Sequence, residues 1–143
     1  MDRDGILENL RYGTYARIQR SQIHGIGVIA IRDMPKGVDP FPGSKASQFI
    51  ELDERALTGI DMEVVCYFKD FLVLRNGKWL VPDFGLNGMD ISWYMNHSEN
   101  PNVVMFGDML EFVTLREIKK GEELTINYRS CSESIDEWMK DRD

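Results

Sequence analysis

Three short stretches of this 143-residue chain gather the groups best suited to chemistry. Asn96, His97 and Ser98 set an amide, an imidazole and a hydroxyl side by side. They precede the turn-forming run Glu99-Asn100-Pro101-Asn102, so several donors and acceptors share one segment. Gly121-Glu122-Glu123-Leu124-Thr125-Ile126-Asn127-Tyr128 is a turn that enters a strand and ends on a phenol. Gly25-Ile26-Gly27 flanks one apolar residue with two glycines, where main-chain groups can come close to a ligand. Each stretch alone also has an ordinary reading. An Asn-His pair can stabilise a loop, a terminal tyrosine can sit at the core edge with its hydroxyl in water, and a glycine pair can merely turn the chain.

Residues Gly25 to Ala30 also fit a relaxed dinucleotide-binding fingerprint, GxGxxA. That chemistry needs a strand before the glycines and a helix after them, so that a helix N-terminus faces the pyrophosphate. Here a β-branched run and then Pro35 follow, and no strand-helix-strand unit is visible. The dinucleotide reading is rejected. Asn96-His97-Ser98 matches the N-glycosylation pattern, which an intracellular chain would not use. His24 and His97 lie far apart, and Cys66 and Cys131 are isolated, so the spacing suggests neither a metal site nor a disulfide framework.

The elements that must position these groups are mostly strands. Tyr15 to Arg20 alternates apolar and polar residues, and Gly27 to Arg32 is a second β-rich run. Met34-Pro35-Lys36-Gly37 reads as a turn. Asn76-Gly77 joins two apolar runs within Phe71 to Val81, a strong hairpin signal because both turn residues must accept positive φ. Gly107-Asp108 joins Asn102–Phe106 to Met109–Leu115 in a second hairpin. Lys119-Lys120-Gly121 turns the chain into a strand over Leu124 to Tyr128. Helices are expected over Glu54 to Ile60, capped by Asp53, and from the capping box Ser134-Ile135-Asp136-Glu137 onward, with Ile135, Trp138 and Met139 on one face. The fold class is mainly β with minor helices.

Composition bounds the function. The chain is 43% hydrophobic and 29% charged, an ordinary globular balance for a single domain. Its formal charge of −7 disfavours phosphate-backbone recognition and so argues against a nucleic-acid partner; it suits a basic peptide. No apolar run reaches the ~20 residues that span a bilayer, and Met1–Gly13 lacks a signal-peptide core, so the expected location is intracellular with no membrane partner.

Taken in order, GxG, then Asn-His-Ser-x-x-Pro-Asn, then Gly-Glu-Glu-Leu-Thr-x-x-Tyr resembles the SET domain of protein-lysine methyltransferases. The longer match runs Asp90-Ile91-Ser92-Trp93-Tyr94-Met95-Asn96-His97-Ser98, and the Asn76-Gly77 hairpin before Val81-Pro82-Asp83 falls where the family has a similar one. The resemblance covers residues 14 to 128. It implies several small twisted sheets and a pseudoknot near the C-terminus, with residues 1–13 as an N-terminal extension and 129–143 as a closing helix. It implies methyl transfer from S-adenosylmethionine to a lysine of a protein substrate, such as a histone or another basic protein. The implied cofactor residues are His24, Gly25, Ile26, Gly27, Tyr94, Asn96, His97, Tyr128 and Trp138, with Tyr128 catalytic. Phe41, Tyr67, Phe84 and Tyr94 are the aromatic candidates for a lysine channel, all but Tyr94 more readily core than channel.

Three departures stand out. Trp93 replaces an arginine frequent in the family, and Asp39-Pro40-Phe41-Pro42-Gly43 shortens a segment that usually carries Glu-Tyr-x-Gly. The cysteine-rich zinc segment that often follows the domain is missing. They leave open a second reading, a binding module that keeps the fold without turnover.

Overall fold

The computed structural model describes residues 1–43, 46 and 48–133. In chain order the described elements are α1 (Arg3–Glu8), β1 (Ala16–Arg20), β2 (Ile26–Ala30), β3 (Phe49–Leu52), α2 (Met62–Phe71), β4 (Val73–Arg75) and β5 (Lys78–Pro82), followed by β6 (Asn96–His97), β7 (Val103–Phe106), β8 (Glu111–Thr114) and β9 (Glu123–Ile126). They fall into two compact units. One comprises Met1–Lys45 with Asp90–Asn127, the other Ala46–Met89 with Tyr128–Asp143.

The first unit is built on a four-stranded sheet in the order β1-β2-β9-β6. Val28, Ile29 and Ala30 are all buried, as β-branched and small residues of a central strand should be. β1 pairs with β2 antiparallel from Ala16↔Ala30 to Arg20↔Ile26, so residues 21–25 are forced into the connecting loop. β9 lies antiparallel on the other side of β2, with Val28 opposite Leu124. β6 runs parallel to β9, with Asn96 opposite Thr125 and His97 opposite Ile126. A parallel neighbour needs a long connection, and residues 98–122 supply it, including the β7–β8 hairpin. Val28, Val103, Ile118 and Leu124 are fully buried, each contributing roughly 1.5–3 kcal/mol of burial. The N-terminal residues belong to this unit: Asn9 donates to the Pro42 carbonyl at 2.9 Å, and Arg32 donates to the Arg11 and Leu10 carbonyls.

The second unit holds a three-stranded antiparallel sheet, β3-β5-β4. Asn76 and Gly77 both take positive φ, 53° and 73°, as the two-residue hairpin requires. α2 starts at Asp61, whose carboxylate accepts from the Glu63 amide at 2.9 Å. It buries Phe68 edge-on against Trp79, with ring centroids 5.5 Å apart. The Trp79 indole donates to Glu54 at 2.9 Å, and Lys69 binds the same carboxylate. The Lys69 and Trp79 hydrogen bonds hold the Glu54 carboxyl below its usual range.

Most of the expected strands are present with trimmed ends. The second hairpin turns over four residues, 107–110, with Gly107 and Leu110 at positive φ. Three expectations change. The helix over Glu54 to Ile60 is only a 3-10 turn, Glu54–Leu57, although Asp53 caps it as expected by accepting from Ala56 at 3.0 Å. The last strand ends at Ile126, and Tyr128 opens the 3-10 turn Tyr128–Ser130. Two helices, α1 and α2, were not anticipated. In α2 the run Glu63-Val64-Val65-Cys66-Tyr67 is rich in β-formers, and only Phe68 is buried, so the apolar stripe that would signal a helix is faint. The capping box at Ser134 and Trp138 lie outside the described residues.

The two cysteines of the second unit differ sharply. Cys66 is exposed on α2, whereas Cys131 is buried and burial pushes its thiol up from its usual range. The thiolate is the reactive form. A limiting alkylating reagent should therefore label Cys66 first and Cys131 only on unfolding. Equal labelling rates in peptide mass spectra of the native protein would contradict the burial of Cys131.

Candidate functional site

The loop between β1 and β2 contains Gly25, and Gly27 follows it as the second residue of β2; the two glycines do different work. Gly25 is exposed at φ 52°, and a side chain there would meet nothing within 4 Å. The main chain is thus open to a ligand on that side. Gly27 is buried against the opposite face. A Cβ there would run into the Glu123 carboxylate, with Glu123 Cδ at 2.9 Å and Asn96 Nδ2 at 3.0 Å. Only glycine lets the strand pass this close.

Beneath the loop lies a compact polar cluster. Asn96 is 8% exposed. Its amide nitrogen reaches the His24 carbonyl at 3.0 Å, the Ile26 carbonyl at 3.1 Å, Ser21 Oγ at 3.0 Å and Glu123 Oε2 at 2.8 Å. Two N–H bonds are thus shared among four acceptors. Ser21 donates its hydroxyl to Glu123, 2.7 and 2.9 Å from the two carboxylate oxygens. The same hydroxyl accepts from the amides of Ile23 at 2.8 Å and His24 at 3.1 Å, and the Ser21 amide donates to the Gly25 carbonyl at 2.9 Å. The loop is closed on itself and tied to β6 and β9 by side chains.

Asn102, 3% exposed, holds the other end of the parallel pair. It donates to the Glu123 carbonyl and accepts from the Thr125 amide, both at 2.9 Å. The Ser98 amide donates to the Ile126 carbonyl at 2.9 Å, extending the β6–β9 pairing past His97. His97 Nε2 lies 3.1 Å from Glu99 Oε1. Tyr94 ends the 3-10 turn Ile91–Tyr94, which Asp90 caps by accepting from Ser92 at 2.8 Å and which packs on β1 and β2.

The structure therefore brings His24 and Gly25 of the β1–β2 loop, Ile26 and Gly27 at the start of β2, and Asn96 and His97 of β6 together in one sheet, with β9 between β2 and β6 and Tyr94 on the turn that packs on β1 and β2. Phe41 is also in this unit but is 7% exposed and packs edge-on against Phe112, centroids 5.7 Å apart. Its ring belongs to the core, the more ordinary of its two readings. Tyr67, Phe84 and Tyr128 belong to the second unit. Tyr67 and Phe84 are 39% and 41% exposed, and Tyr67 stacks edge-on with Phe71. Tyr128 is half-buried, and its carbonyl accepts from the amides of Cys131 at 3.0 Å and Ser132 at 3.2 Å.

Sequence reasoning missed Ser21, Asn102 and Glu123 as builders of this site. Asn102 and Glu123 lay within recognised motifs, but nothing in the motifs says where their side chains go. Ser21 is 75 residues from Asn96, and only the sheet joins them. Among the described residues no group of three His, Cys, Asp or Glu side chains is arranged to hold a metal ion, and no helix is long and apolar enough to cross a membrane.

These features define a class: a mainly β protein whose exposed glycine-bearing loop is locked from beneath by polar side chains on a parallel strand pair. The SET domain family model matches residues 25–129, and the chain belongs to the SET-domain family. The family's members are S-adenosylmethionine-dependent methyltransferases. Among solved structures it is similar to a Plasmodium falciparum protein described as a candidate histone methyltransferase. The match has a TM-score of 0.53 at 19% identity and covers 80% of this chain and 93% of that one. At that identity the likeness speaks for the fold. No curated protein matches the chain in sequence.

Proposed function

We propose that this chain transfers a methyl group from S-adenosylmethionine to a lysine of a protein substrate. The observation that carries the reading is the glycine loop, open at Gly25 and fixed from beneath by Asn96. Its fit to the methyl donor is favourable. The main chain at His24, Gly25 and Ile26 is exposed, its carbonyls each keep a second lone pair for a polar ligand, and the anchoring Ser21 and Asn96 side chains keep it from collapsing. His24, Gly25, Ile26, Gly27, Asn96 and His97 would hold the donor, with Tyr94, Tyr128 and Trp138 as further contacts. When bound, S-adenosylmethionine supplies an electrophilic methyl on a sulfonium.

The chain's own task is to present a neutral amine. A free lysine, with pKa near 10.4, is uncharged only about once in a few thousand at pH 7, a handicap of roughly 4–5 kcal/mol. A desolvated aromatic channel lowers that pKa, and alignment of the amine supplies much of the rest. Tyr128 is assigned to orient the amine by its hydroxyl, and Tyr94, Tyr67 and Phe84 to wall the channel. Phe41, buried against Phe112, is the remaining candidate wall. The formal charge of −7 favours a basic, lysine-bearing segment as substrate, in an intracellular setting.

Calorimetric titration with S-adenosylhomocysteine tests the reading. Wild type should bind with micromolar affinity. Asn96→Ala removes the donor shared by four acceptors, and binding should weaken at least about tenfold, in line with the roughly 1–3 kcal/mol cost of leaving buried acceptors unpaired. No binding by wild type would overturn the proposal in favour of a SET-fold binding module without turnover, a reading motivated by the altered Asp39–Gly43 segment.

A further inference from the structure

The Glu123 carboxylate is half-buried, and among the described residues its side-chain donors are neutral: the single Ser21 hydroxyl, shared between its two oxygens, and the Asn96 amide. Among the described residues no lysine, arginine or histidine pairs with it. Some other carboxylates of the chain are matched to cations, as Glu122 is to Arg116 and Glu54 to Lys69. A carboxylate taken partly out of water without a counter-charge is costly. This one sits directly against Gly27, two residues beyond Gly25 of the glycine loop.

We propose that Glu123 is a positioning residue with an electrostatic function. Through Ser21 and Asn96 it fixes the loop, and its unmatched charge favours a cationic ligand on the loop's outer side over a neutral one. The inference rests on the reading of that loop as the methyl-donor site, and it adds a selectivity to it. The donor carries a sulfonium; the product, S-adenosylhomocysteine, is the corresponding thioether with one positive charge fewer. A fixed negative charge near the loop therefore holds the donor and helps release the product. Coulomb attraction between unit charges ~10 Å apart at an effective dielectric of about 20 is worth roughly tenfold in affinity.

The test is the ratio of dissociation constants for S-adenosylhomocysteine and S-adenosylmethionine, measured by calorimetry without substrate or turnover. Glu123→Gln keeps the side-chain length and an acceptor but removes the charge, and the preference for the donor should fall about tenfold. Glu123→Asp and Ser21→Ala keep the charge but disturb the clamp; both ligands should weaken together and the ratio should hold. A structural role alone would weaken both ligands equally in Glu123→Gln, and that result overturns the proposal. Circular dichroism checks that the variants fold. If Glu123→Gln does not, the wild-type ratio measured across salt concentration decides. A donor preference that shrinks with salt supports the charge, and a salt-independent ratio overturns it. Wild type that binds neither ligand would overturn the methyl-donor reading itself and this inference with it.

Discussion

Tyr128→Phe is expected to lower lysine methylation by about 10²- to 10⁴-fold, the range typical for loss of a polar group acting in the transition state. Binding of S-adenosylhomocysteine should change little, because the ring is kept and the loop anchors lie elsewhere, at Ser21, Asn96 and Glu123. The fold should tolerate the change too. Tyr128 is only half-buried and contributes to the turn at Tyr128–Ser130 through its main chain. The measurement is a single-turnover methylation assay on a basic peptide or protein substrate, run beside calorimetry. A variant that methylates at the wild-type rate would remove Tyr128 from the chemistry. A variant that loses both activity and product binding would make it a binding residue instead.

Gly27→Ala is the second large effect, and it is expected in stability and binding together. One added methyl meets the Glu123 carboxylate and lies 3.0 Å from the Asn96 amide nitrogen. These are short side chains held by hydrogen bonds on both sides, so neither can move aside without breaking the clamp. Overpacking of this kind costs roughly 1–3 kcal/mol. For a chain of this size that corresponds to a fall in Tm of about 3–10 °C. Affinity for S-adenosylhomocysteine should drop by about tenfold or more, because His24 and Ile26 lose their shared anchor. Gly25→Ala is the control. Its new methyl points into open space, so packing is spared and only the positive-φ strain remains, roughly 1–2 kcal/mol. If Gly27→Ala melts and binds like wild type, the close approach of β2 to Glu123 is not a real constraint.

The residues that make strands were readable because their signals are local. Asn76-Gly77 announces a two-residue hairpin by itself, since few other pairs accept two positive φ values. The buried run of β2 and the turn before β9 are equally short-range. Helices were read less well. Asp53 was seen as a cap, but four residues of 3-10 turn follow it instead of a helix, while the better helix begins at Asp61. There the β-forming residues of α2 leave only a faint apolar stripe, and the helix packs Phe68 on Trp79. Phe41 shows the same limit at the site: its burial depends on an edge-on contact with Phe112, 71 positions away, which no local pattern announces.

The sequence by itself determined the family and the order of the chemical motifs, since three spaced signatures in a fixed order carry that information without any coordinates. It also named the residues of the glycine loop and the asparagine that serves it. What only the tertiary structure decided is how those motifs hold one another. The parallel pairing of β6 with β9 sets Asn96 opposite Thr125, and the neighbouring β2 brings Gly27 against Glu123. Ser21, Asn96 and Glu123 are separated by 75 and 27 residues along the chain, yet meet within hydrogen-bonding distance. Hydrogen bonds between side chains so far apart leave no periodicity or spacing to read. They exist only once sheet order and register have fixed which strands are neighbours.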